Sequence, residues 1–105
     1  MMAGTISLSP EQRWTASGWL FDWAVEFLAA NVTEPGLKAG LEEIVTENLG
    51  WLGLGDFGPS AEREMRTLLR TNLLAAADGS LPPDMDGRRS ALDLLSELAA
   101  AAEPV

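Results

Sequence analysis

The sequence predicts an all-α fold, a four-helix bundle with antiparallel neighbours, and three observations carry that expectation. Helix-start signals recur at Ser9-Pro10, Thr33-Glu34-Pro35, Gly58-Pro59-Ser60 and Asp86-Gly87. Apolar residues after each signal recur at helical spacing. No segment alternates with period two for long enough to read as a strand. The 105 residues suit a single helical domain spanning 1–105, and 47% hydrophobic content is enough to form a core.

The elements follow in order, with helices expected at about 10–30, 34–49, 60–77 and 87–102. Ser9 can cap the first, Pro10 suits its first position, and Gln12 can complete a capping box. On its wheel Trp14, Phe21, Val25 and Leu28 share one face, while Leu20, Trp23, Ala24 and Phe27 cover much of the rest. A helix this apolar is usually central, so its excess surface should meet a partner, a second subunit or a folded-over loop.

The second helix, capped by Thr33, places Leu37, Leu41, Ile44, Val45 and Asn48 on one face, and Gly50 is its natural stop. An apolar, glycine-rich loop separates helices two and three. The third helix has Ala61, Met65, Leu68, Leu69, Asn72 and Ala76 inside and a stripe of Arg63, Arg66 and Arg70 outside. On its apolar face Asn72 should bond a loop carbonyl, fix helix register or lie at a subunit interface. The fourth helix turns Ala91, Leu94, Leu95, Leu98 and Ala102 inward.

Composition narrows the chemistry. Cys, His and Tyr are all absent, which removes disulfides, zinc and haem ligation, imidazole bases and phenol chemistry. No cofactor or metal is expected, and an enzyme is the least favoured class. Sixteen acidic residues against seven basic ones leave a net charge of -9, which disfavours nucleic acid and suits a basic partner. The longest uncharged stretch, Met1–Pro10, is about half a membrane span and resembles no secretory signal, so no membrane is expected. A cytoplasmic protein follows. Arg supplies six of the seven basic residues, a weak pointer to a GC-rich bacterial genome.

The stretch Trp51 to Ser60 matches several patterns by letters. Gly53-Leu54-Gly55-Asp56-Phe57-Gly58 fits G-x-G-x-x-G, but a helix is expected before it, no sheet is expected, and Asp56 would face the anion. Asp56-Phe57-Gly58 lacks the other parts of a kinase. Trp51-Leu52-Gly53 resembles the central W-x-G of a family of small secreted helical hairpins. Pro35-Gly36 and Pro82-Pro83 break both halves of such a hairpin here, and that family's secretion-signal Tyr is absent, so it is not assigned. The simpler expectation is a plug, with Trp51, Leu52, Leu54 and Phe57 folded over one end of the core.

Two carboxylate pairs, Asp22/Glu26 and Glu43/Glu47, stand four residues apart and read as solvated faces. Asp78, Asp84 and Asp86 lack the spacing of a calcium loop and read as turn residues. The functional expectation rests on Trp19, Asp22, Trp23 and Glu26, where indoles flanked by carboxylates have the composition of an interface hot spot. They predict a non-catalytic acidic interaction module for a basic protein partner, of the size and charge of immunity proteins, antitoxins and adaptors. Two alternatives use the same apolar surplus: a structural homodimer through the first helix, or an apolar small-molecule binder in the bundle core.

Overall fold

Residues 3–17 form a β-hairpin, and this overturns the all-α four-helix bundle. In a computed structural model, which describes residues 3–102, β1 (Ala3–Ser9) and β2 (Gln12–Ser17) pair antiparallel. A short β3 (Trp51–Gly53) pairs parallel with β1 on its other side, giving a mixed sheet of order β2-β1-β3. Among the described residues there are five α-helices: α1 (Gly18–Asn31), α2 (Pro35–Thr46), α3 (Pro59–Thr71), α4 (Leu73–Ser80) and α5 (Arg88–Ala101). The fold is therefore mixed α and β.

The physical reason lies in the alternation. Gly4, Ile6 and Leu8 point inward from β1, and Trp14 and Ala16 from β2, while Thr5, Ser7, Arg13 and Thr15 line the outer face. The residues read as a helix cap instead make the hairpin turn. Ser9 Oγ accepts the Gln12 N–H at 3.1 Å, and Pro10 sits where a turn favours its fixed φ. Ser, Pro and a polar residue serve a turn as well as a helix start, so the local signal was ambiguous.

Helix α1 begins only at Gly18, and its apolar girth now has an explanation. Leu20, Phe21, Ala24, Val25 and Leu28 are buried, with the inner face of the sheet on one side and α2, α3 and α4 on others. The chain's own sheet supplies much of the cover that the sequence assigned to a partner, a second subunit or a folded-over loop. Trp14 ties the sheet to the last helix, donating from Nε1 to the Leu94 carbonyl at 2.7 Å. Trp14→Phe removes that bond and also shrinks a buried indole to a phenyl ring. It is expected to cost about 2–3 kcal/mol, about 1 of it from the bond, read as a lower urea midpoint with an unchanged slope.

Other boundaries shift for identifiable causes. Glu34, not Thr33, caps α2, accepting from the Gly36 and Leu37 N–H groups at 3.0 and 2.7 Å. Thr33 donates instead to Glu64 on α3 at 2.9 Å. The chain leaves α2 at Thr46, so Asn48 is exposed past the helix and not on its apolar face, and Asn48 and Gly50 both take positive φ on the way to β3. The expected third helix breaks at Asn72, which is exposed at the junction of α3 and α4 and does not lie on the inner face. The plug is half strand. Leu52 and Leu54 are fully buried, Phe57 is half-buried in the 3₁₀ turn Leu54–Phe57, and Trp51 stays 43% exposed.

Among the described residues, no helix is long and apolar enough to cross a membrane.

Candidate functional site

The outward strip of α1 brings together all four residues singled out in the sequence. Trp19, Asp22, Trp23 and Glu26 are spaced as one helical stripe, opposite the buried face of Leu20, Ala24 and Leu28. Trp19 is 44% exposed, Glu26 is exposed, and Asp22 and Trp23 are half-buried. The Trp23 ring stacks on Phe27 with centroids 6.0 Å apart and planes 12° from parallel. Trp23 is thus a fixed shelf, and Trp19 the free indole.

Two open clefts flank this strip, a feature outside the reach of a helical wheel. One, of about 340 Å³, lies between α1 and α2, with Ala29, Ala30 and Val45 as apolar wall and Glu26 and Glu42 as carboxylates. Lys38 is its single cation. The other, of about 290 Å³, lies between α1 and α4 and is lined by Trp23, Glu26, Phe27, Ala30, Asn31, Ala76 and Ser80. Glu26 stands on the ridge between them. Asn31 is anchored, donating to the Phe27 carbonyl at 2.8 Å.

Lys38 is the one cation lining the cleft beside the strip, and it makes no ion pair there: among the described residues the ion pairs are Arg66–Glu62 on α3 and Arg88–Asp78 across the α4–α5 connection. Asp22, Glu26 and Glu42 therefore present their charge outward, where a cationic partner can meet it without breaking an existing pair.

The other motifs find structural employment. The expected basic stripe on α3 is split, with Arg63 and Arg70 exposed and Arg66 turned into a joint. Arg66 donates to the Leu8 carbonyl at 2.5 Å, to the Ala102 carbonyl at 3.4 Å and to Glu62 at 3.2 Å. Asp78 pairs with Arg88 at 3.1 Å across the α4–α5 connection. A strand does precede the glycine-rich segment, contrary to expectation. A phosphate still finds no cradle, because the Asp56 carboxylate lies against Gly53 and the 3₁₀ turn separates that glycine from α3. The cleft beside it carries Asp56 and Glu62, and its one cation, Arg66, is already bonded.

Among the described residues, no polar or charged side chain is buried, and no cluster of three carboxylates has a metal-binding arrangement. Comparisons with protein-family profiles, curated proteins and solved structures return no match to this chain.

Proposed function

We propose that the chain is a non-catalytic, cytoplasmic interaction module that captures a basic protein partner on the outer strip of α1. The observation that carries this reading is the free indole of Trp19 beside Asp22 and Glu26, two carboxylates that make no ion pair among the described residues. A partner's Lys or Arg stem can lie along Ala29, Ala30 and Val45 while its charge meets Glu26 and Glu42. Trp19 and the Trp23 shelf then supply the apolar anchor, and the net charge of -9 steers the approach. General acid–base work draws no support here, since it needs carboxylates withdrawn from water.

The alternatives fare worse on this strip. A homodimer through α1 would set Asp22 and Glu26 near their own copies, where like charges repel. An apolar ligand would meet Glu26, Glu42, Lys38 and Asn31 on the walls of the flanking clefts.

The test is affinity capture from the source lysate at low salt, with the bound protein identified and its affinity then measured. Asp22→Lys combined with Glu26→Lys is expected to weaken that complex at least about tenfold while far-UV circular dichroism stays unchanged. Added salt should weaken the native complex in the same direction. Equal affinity for the native chain and the charge-reversed variant sinks the proposal.

A further inference from the structure

The free edge of β2 offers a second, chemically different surface. The Thr5 N–H donates to the Gly50 carbonyl at 2.9 Å, so the peptide groups of Thr5 face β3 and turn away from β2. Thr5 pairs with Thr15, and in an antiparallel ladder both members of such a pair turn their N–H and C=O groups away from each other. The N–H and C=O of Thr15 therefore point out from the sheet, as do those of Arg13, two residues earlier. The Ser17 N–H points the same way, while its carbonyl enters the first turn of α1. Apart from that carbonyl, none of these groups has a turn, loop or side-chain hydrogen-bond partner among the described residues.

An edge of this kind is usually blunted by a charge, a proline or a bulge. Gln12–Ser17 contains no proline, and the register irregularity lies at Ser7/Ser9, beside the turn. The strand's one charged side chain, Arg13, folds back across the sheet, with its guanidinium carbon 5.7 Å from the centroid of the Trp51 ring on β3. It does not guard the edge.

We infer that this edge pairs with a second copy of the chain, β2 against β2 in antiparallel register about a twofold axis at Thr15. Thr15 then faces Thr15 of the other copy, and Arg13 faces Ser17. Four main-chain bonds close the join: two between the threonines, and one from each Ser17 N–H to the Arg13 carbonyl opposite. The two sheets become one of six strands. The Thr5–Thr15 contact, with hydroxyl oxygens 3.2 Å apart, extends into a row of four threonines on the outer face.

Charge selects the second copy as occupant. Residues 3–17 carry one acid, Glu11, and one base, Arg13, whereas fifteen of the sixteen acidic residues lie from Asp22 onward. Two copies of a chain of charge -9 repel least where the surface is neutral. A basic partner is drawn to α1 instead. The two surfaces use different residues and different chemistry, so the dimer is tested independently of capture on α1.

The experiment is mass in solution by light scattering behind a sizing column, from about 1 to about 200 µM. The native chain is expected to pass from 11.2 kDa to twice that mass. Thr15→Lys and Thr15→Pro should stay at the single mass, the latter because it removes an N–H that β1 does not use. Trp19→Ala, and Asp22→Lys with Glu26→Lys, should dimerise like the native chain. A native chain that is monomeric throughout, a dimer that survives in folded Thr15→Lys, or one lost only in Trp19→Ala would each overturn the inference. Should both Thr15 variants unfold, amide exchange on the native chain decides. Thr15 N–H exchange must slow at least about tenfold as the dimer forms, and exchange that is fast at every concentration refutes the pairing.

Discussion

Gly4→Ala is expected to destabilise the protein by about 2–4 kcal/mol, and Gly4→Val by more, although strand propensity alone argues for a gain. A Cβ on Gly4 would fall within the Phe21 side chain, 2.5 Å from its Cβ and 2.6 Å from Cδ1. Phe21 is 1% exposed in the middle of the core, so its ring has nowhere to move. The absent side chain is what lets β1 lie directly on α1. Urea melts of Gly4→Ala, Phe21→Leu and the double variant separate the terms. The double variant should recover part of the loss by coupling, because the smaller side chain makes room for the new methyl. A neutral or stabilising Gly4→Ala would mean that the sheet does not seat on α1 in this way.

The same contact explains what could and could not be read in the chain. The alternation Gly4-Thr5-Ile6-Ser7-Leu8 and Arg13-Trp14-Thr15-Ala16 was present, and a two-residue turn at Pro10-Glu11 would have joined the halves. It was overridden because Ser9-Pro10 is also a helix-start signal, and because Trp14 falls by chance on the same wheel face as Phe21, Val25 and Leu28. β3 was beyond reach for a different reason. Three residues carry no periodicity, and Trp51–Gly53 becomes a strand only through pairing with Thr5–Ser7, far away in sequence.

The candidate site was more legible than the fold, since Trp19, Asp22, Trp23 and Glu26 all lie inside the segment that is helical in both accounts. Their spacing alone sets them on one strip. The flanking clefts were not legible, because they depend on how α2 and α4 cross α1. Nor was the hidden cover of α1: without the sheet, its apolar surface looked like a reason to expect a partner. With the sheet in place, the case for binding narrows to Trp19 and the unpaired carboxylates.

Arg66→Met should cost about 2–4 kcal/mol, far more than an ordinary surface arginine, and Glu62→Gln less than about 1 kcal/mol. The difference follows from what each group holds. The ion pair with Glu62 is an i,i+4 contact within α3, with the carboxylate about one-third exposed, and water replaces it readily. The bonds to Leu8 and Ala102 are of another kind. They join the end of β1, the end of α5 and the middle of α3, three places that no short connection ties together. Leu8 is 2% exposed and Ala102 fully buried, so water reaches the carbonyls that methionine would leave behind only poorly. Arg66→Lys offers one flexible ammonium where two acceptors need a planar fork, and should fall between the two. Equal losses for Arg66→Met and Glu62→Gln would assign the residue's value to its salt bridge and remove the joint. The expected order, with methionine worst, lysine intermediate and Glu62→Gln near native, places the stability of the sheet's far end in a single guanidinium.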